Sequence, residues 1–107
     1  MEAAAYKVKN AFDGYKKNEI MTLSPVRLIL KLYDYVLLNS RKRDATAVNA
    51  GLTQLIAALN FDYKEISLGF FKLYRYCQTE SQKGNFEEVE KVISELRAAW
   101  AQAFKLS

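Results

Sequence analysis

The stretch from Ser24 to Ser40, SPVRLILKLYDYVLLNS, decides the fold class of this chain. Ser24 is a residue type favoured as a helix N-cap, and Pro25 at the first helical position loses nothing by lacking an N–H. The charged residues of this stretch share one narrow strip with Arg41, the residue that follows it; the strip consists of Arg27, Lys31, Asp34 and Arg41. Nearly all of the remaining circumference is apolar, so the stretch predicts a helix that ends near Ser40 and buries more than one face.

Apolar residues at helical spacing continue after that stretch in three further segments. These run from Asp44 to Asn60, from Asp62 to about Gly84, and from Asn85 to Phe104. Asp62 and Asn85 are each followed three residues later by Glu, the spacing of a capping box that satisfies free N–H groups at a helix start. Before the decisive stretch, the segment 1–20 contains Gly14, which weakens a helix by roughly 1 kcal/mol relative to Ala. We expect a short or mobile helical segment there.

The composition agrees with a helical fold in one domain. With four Gly and one Pro in 107 residues, the chain has few of the breaks that strands and hairpins need. Four substantial helices with short connections predict an all-α fold, an antiparallel up-and-down four-helix bundle with an additional N-terminal helical segment. The length suits one domain and no internal repeat is present, so residues 1–107 are expected to form a single helical-bundle domain.

The helix predicted at 24–40 has more apolar surface than contact with one core requires. Two alternatives follow: the helix is buried on all sides at the centre of the bundle, or part of its surface stays open for another protein. The face that we assign to the core consists of Leu28, Ile29, Leu32, Tyr35 and Val36. The adjoining face, which we assign to a partner, consists of Val26, Leu30, Tyr33 and Leu37.

Two other segments contribute candidate partner contacts. Leu68 and Phe71 fall off the main apolar stripe of their helix, which consists of Ile66, Phe70, Leu73, Tyr74 and Cys77. In the N-terminal segment, Phe12, Tyr15 and Ile20 are apolar enough to dock on the bundle, either as a movable cover of the partner site or as part of it. Together with the partner face of the helix predicted at 24–40, these residues predict a receptor that binds an amphipathic helix in a groove.

The sequence lacks the residues of common catalytic and metal sites. It contains no His, which removes the commonest general base and metal ligand, and no Gly-rich phosphate loop. Cys77 is the single cysteine and lies on an apolar stripe, so it is expected to be a core residue. We therefore expect no enzyme, no cofactor and no metal. The N-terminus shows no signal peptide and no stretch is apolar enough to span a membrane, which indicates a cytoplasmic protein without membrane insertion.

Nucleic acid is a weaker alternative partner. The formal charge is +4 with a pI near 9.2, and the clusters Lys16-Lys17 and Arg41-Lys42-Arg43 could hold phosphates. Seven Tyr could stack on bases, but most of them fall on apolar stripes. A small basic helical nucleic-acid-binding adaptor therefore ranks second, and a solvated surface is the simpler interpretation of both clusters.

Four blocks of sequence stand in a recognisable order. They are Asn10 to Ile20 (NAFDGYKKNEI), Thr22 to Asp34 with its Ser-Pro and Leu-Tyr-Asp elements, Leu73-Tyr74-Arg75-Tyr76, and Leu96-Arg97-Ala98-Ala99-Trp100. The series resembles the flagellar export chaperones of the FliS type. The resemblance implies a cytosolic helical chaperone that covers the C-terminal helical segment of flagellin and prevents premature polymerisation before export, with the flagellar export gate as a further candidate partner. A secretion chaperone for another helical cargo is a close alternative.

Overall fold

Four α-helices form the part of the chain, residues 26–104, that the computed structural model describes, and no strand occurs in that range. They are α1 (Val26–Arg41), α2 (Ala45–Ala57), α3 (Lys64–Gln82) and α4 (Phe86–Ala103). Each helix packs against the next along the chain, and α1 also packs against α4, which closes the ring. The predicted four-helix bundle is confirmed. Ser24, Pro25 and the predicted N-terminal segment 1–20 lie outside the described residues.

Neighbouring helices run in opposite directions. Along α1 and α4 the ion pairs occur in reverse order, because Asp34 pairs with Arg97 whereas Arg41, two turns further on, pairs with Glu90. The connections between helices cover only residues 42–44, 58–63 and 83–85. Short connections of this kind join antiparallel neighbours, so the topology is up-and-down as predicted.

The centre of the bundle is aromatic. Tyr33 of α1 and Tyr74 of α3 lie on diagonally opposite helices, and their hydroxyl oxygens are 2.7 Å apart in a hydrogen bond. Phe70 stacks on Tyr74 with ring centroids 6.1 Å apart, and Trp100 of α4 lies 5.8 Å from Phe70. A buried hydroxyl without a partner is costly, so the two tyrosines fix each other's position. Their pairing determines which face of α1 points inward.

The helix starts agree with the predictions only in part. Asp44 is the N-cap of α2, and its carboxylate accepts a hydrogen bond of 3.0 Å from a backbone N–H of the first turn. The predicted capping box of α3 is wrong, because the N–H of Asp62 donates to the side chain of Asn60 in a turn that precedes the helix. Asn85 is the N-cap of α4 as predicted, but its side-chain amide donates to Glu80 instead of accepting from the backbone.

The predicted assignment of the two faces of α1 is wrong. The residues assigned to a partner are buried: Val26, Leu30, Tyr33 and Leu37. Leu28 and Tyr35, assigned to the core, are instead 48% and 44% exposed. The reason is that α1 contacts α2 on one side and α4 on the other, so the arc centred on Tyr33 faces the core. Val36 and Ile29 lie within that arc and are buried as predicted. Helix α1 is therefore not buried on all sides, and its exposed apolar side chains are not the ones that were predicted.

Candidate partner-binding surface

Helix α2 has an outer face without charge. Its sequence, ATAVNAGLTQLIA, contains no Asp, Glu, Lys or Arg. The exposed residues of the helix are small or neutral: Thr46, Ala50, Thr53, Gln54 and Ala57. The outer face of a helix in water usually carries charged side chains, so a neutral face over three turns is better suited to contact with another protein than to exposure.

Helix α1 borders this face with large apolar side chains. A Cβ atom placed on Gly51 of α2 would lie 2.9 Å from Cδ1 of Tyr35, so the Tyr35 ring rests directly on the α2 backbone. Leu28 lies two turns before Tyr35 and therefore on the same side of α1. The exposed Leu38 instead follows Asp34 by four residues and shares its side, which is turned toward α4. Leu28 and Tyr35, but not Leu38, border α2.

Helix α3 borders α2 on the other side. The amide of Gln78 donates to the Thr53 hydroxyl over 3.1 Å and to a backbone carbonyl of α2, which marks the α2 edge of α3. Phe71 lies seven residues before Gln78 and therefore on the same edge. Its ring meets that of Phe61, from the α2–α3 connection, edge to face at 6.3 Å between centroids. Leu68, one turn before Phe71, is 39% exposed beside them.

These side chains together form what we call the α2 surface: Leu28, Tyr35, Ala50, Gln54, Ala57, Phe61, Leu68 and Phe71. Because α2 packs against α1 on one side and α3 on the other, the surface follows two inter-helix grooves, one between α1 and α2 and one between α2 and α3. Each groove has apolar side chains on one wall and small neutral residues of α2 on the other. An amphipathic helix packs into a groove of this kind with residues spaced three and four apart.

The nine predicted partner-binding residues fall into three groups. Leu68 and Phe71 belong to the α2 surface. Four are buried in the core and cannot reach a partner while the bundle is closed, which corrects their predicted exposure: Val26, Leu30, Tyr33 and Leu37. The remaining three lie outside the described residues: Phe12, Tyr15 and Ile20. The prediction missed Leu28, Tyr35 and Phe61, although the lack of charge in α2 was visible in the sequence.

The basic turn between α1 and α2 is occupied by contacts within the bundle. Arg41 pairs with Glu90, and Arg43 pairs with Glu87, each at 2.9 Å between nitrogen and oxygen. The Arg43 guanidinium also lies 5.1 Å above the centre of the Phe86 ring. Both arginines therefore hold the α1–α2 turn against the start of α4, and two of the three basic side chains of the cluster are paired within the bundle.

The titratable groups of the core are poorly suited to chemistry near neutral pH. Burial raises the pKa of the Cys77 thiol to about 12, so the thiolate that would act as a nucleophile is scarce. Burial likewise raises the pKa of Tyr33 and of Tyr74. At the surface, the hydrogen bond from the Tyr76 hydroxyl to Glu88 raises the pKa of Tyr76 to about 12. All four groups therefore stay protonated near neutral pH.

Two further features were searched for within residues 26–104. No group of three or more His, Cys, Asp or Glu side chains there is arranged to hold a metal ion. No helix in the same range combines the length and the apolar character needed to cross a membrane.

Comparison with known proteins gives one match. The family model described as flagellar protein FliS matches residues 8–107 of this chain. No curated protein and no solved structure matches it.

Proposed function

Because the chain belongs to the FliS family of flagellar chaperones, we propose that it binds flagellin in the cytoplasm, covers the C-terminal helical segment of flagellin and prevents premature polymerisation before export. The match to the family covers nearly the whole chain and supports the chaperone role. The flagellar export gate is the second partner in this proposal. The binding requires no metal, cofactor or catalytic residue.

The observation that carries the proposal is the α2 surface. Three half-exposed large apolar side chains, Leu28, Tyr35 and Phe61, surround a helix that has no charged residue. Covering apolar surface of this kind stabilises a complex by about 25 cal/mol for each Å² removed from water. A chaperone for a segment that is helical in its final assembly has to offer such a surface to the segment's apolar stripe.

The proposal also accounts for release. A cargo segment that is disordered when free has to be ordered as it binds, and this ordering offsets part of the contact free energy. The walls of the grooves are apolar but shallow, because Ala50 and Ala57 leave little depth on α2. We therefore expect moderate affinity, which allows the export machinery to take the cargo over.

The N-terminal residues Phe12, Tyr15 and Ile20 enter the proposal as a movable cover of the α2 surface. Deleting residues 1–18 is then expected to expose apolar surface and either to tighten cargo binding or to promote self-association. Weaker binding after the deletion would instead make these residues part of the site. Unchanged affinity with unchanged dye binding would reject both roles.

The test is a titration of purified flagellin and of flagellin lacking its C-terminal segment with the wild-type chain and two matched variants. Tyr35→Glu puts a charge on the α2 surface, whereas Leu38→Glu puts the same charge on α1 at a residue of similar exposure outside it. We expect binding of intact flagellin only, loss of binding with Tyr35→Glu, and wild-type binding with Leu38→Glu. Equal binding of both flagellins would contradict the proposed segment, and equal behaviour of both variants would contradict the proposed surface.

A further inference from the structure

The charged residues of the described part of the chain divide into two groups by location. Its four ion pairs lie between α1 and α4 or in the loops at one end of the bundle: Arg41–Glu90, Arg43–Glu87, Arg97–Asp34 and Lys83–Glu80. None of these pairs involves α2 or the α3 edge next to it. The basic residues beside the α2 surface are a separate group without such pairing within residues 26–104.

On the α1 side, the exposed Lys31 lies three residues after Leu28 and four before Tyr35, so it forms the outer rim of the α1–α2 groove. Arg27 lies seven residues before Asp34 and therefore on the side of α1 that is turned toward α4. The carboxylate one turn beyond Lys31, Asp34, is already engaged by Arg97 across two hydrogen bonds. This rim therefore keeps a positive charge that no ion pair within residues 26–104 neutralises.

On the α3 side, Lys64 and Arg75 form the outer rim of the α2–α3 groove. Lys64 is exposed seven residues before Phe71 and Arg75 is exposed four residues after it, so both lie on the edge of α3 that carries Phe71. Arg75 donates to the neutral side-chain oxygen of Gln78, which leaves its charge uncompensated. The nearby carboxylates lie at the start of α3: Asp62 is in the turn that precedes the helix, and Glu65 is in its first turn.

We infer that the partner of the α2 surface is an amphipathic helical segment with acidic residues along the flank of its apolar stripe. The inference rests on the proposed use of this surface for cargo and adds the charge of that cargo. A helix about 10 Å wide that lies in either groove meets neutral α2 on one flank and a basic rim on the other. Glutamate or aspartate on the second flank neutralises the rim, whereas lysine there is repelled.

The arrangement of the charges favours a peptide over a membrane or a nucleic acid. The two rims stand on opposite sides of the uncharged α2, so no single plane of the molecule concentrates positive charge for a lipid surface or a phosphate backbone. A helix, by contrast, needs only one charged flank in each groove.

The experiment uses two synthetic peptides of about 18 residues with the same leucine stripe, one flanked by glutamate and the other by lysine. Binding to the wild-type chain is measured by calorimetry at low salt. We expect the glutamate peptide to bind at least about tenfold more tightly than the lysine peptide, and the difference to shrink at high salt. Equal affinities, or no binding of either peptide, would overturn the inference even if flagellin binds.

Charge reversal assigns the effect to the rim. In the Lys64→Glu variant the preference for the glutamate peptide is expected to shrink severalfold. Lys91→Glu, which makes the same change at an exposed residue of α4, should leave the preference at its wild-type value. Equal loss of the preference in Lys91→Glu would show a nonspecific effect of net charge and reject the rim. Binding of the wild type to phosphatidylserine vesicles that is lost in Lys64→Glu would assign the rims to a membrane and reject the peptide.

Discussion

Replacing Gly51 with alanine tests the close approach of α1 and α2 that positions Tyr35 on the α2 surface. A Cβ atom at residue 51 would lie 2.8 Å from Cγ2 of Val36 and 2.9 Å from Cδ1 of Tyr35, both shorter than van der Waals contact. The half-exposed Tyr35 ring can turn away, but Val36 is fully buried and cannot. Overpacking of this kind costs about 1–3 kcal/mol, against a gain of about 1 kcal/mol from helix propensity. We expect the free energy of unfolding to stay level or fall by up to about 2 kcal/mol.

Gly69→Ala is the matched control, because Gly69 is also helical but an added Cβ there meets no atom within 4 Å. That variant gains the same propensity without the clash and should be more stable than wild type by about 0.5–1 kcal/mol. Urea unfolding gives the free energy of unfolding of both variants. Because helix propensity contributes equally to both, the difference between them reports the clash at residue 51 and is expected to be about 1–3 kcal/mol. If Gly51→Ala is stabilised as much as Gly69→Ala, the two helices are not in close contact and the assignment of Tyr35 to the α2 surface fails.

Three other outcomes follow from burial and charge. Leu37→Glu should lower the free energy of unfolding by roughly 3–5 kcal/mol, because it buries an unpaired carboxylate. Leu38→Glu should leave stability nearly unchanged, because Leu38 is half-exposed. If thermal melts rank the two variants in the reverse order, α1 faces the core with a different side. The Cys77 thiol should resist a thiol reagent in the native chain and react on denaturation, and fast native labelling would contradict its burial. A backbone hydrogen bond and then Arg43 lower the pKa of Glu87 below its ordinary value of 4.5. Glu87 therefore stabilises the fold above that pH, and this contribution is lost as the pH falls through the lower pKa of the folded state. Glu87→Gln should make stability fall less steeply at acid pH, and an unchanged pH dependence would contradict this.

The fold was predictable because its signals are local. Apolar spacing and helix-forming composition indicated four helices, and the stripe of α4 that includes Val89, Ile93 and Trp100 is buried as its spacing indicated. A helical segment was predicted to begin at Asp44, and this residue is the N-cap of α2, which accepts from the N–H three residues later. The cap predicted at Asp62 is wrong, because the backbone N–H of Asp62 donates to the side chain of Asn60 in a turn before the helix. The spacing of residues alone does not reveal such a turn.

The candidate site was less predictable because it depends on the rotation of one helix. On α1 almost every direction is apolar, so the sequence could not decide whether Leu28 or Leu30 faces the core. That choice is made by long-range contacts, namely the hydrogen bond between Tyr33 and Tyr74 and the contact of Tyr35 with Gly51. On α3, where polar residues separate the two sides, the exposure of Leu68 and the partial exposure of Phe71 were predicted correctly.

The binding account is tested most directly by amide chemical-shift mapping of the labelled chain with and without the C-terminal segment of flagellin. The account predicts shifts concentrated in α2 and in the edges of α1 and α3 that carry Leu28, Tyr35 and Phe71. It predicts little change along the outer face of α4 around Lys91. Shifts centred on α4, or a chain unaffected by the segment at saturating concentration, would contradict it.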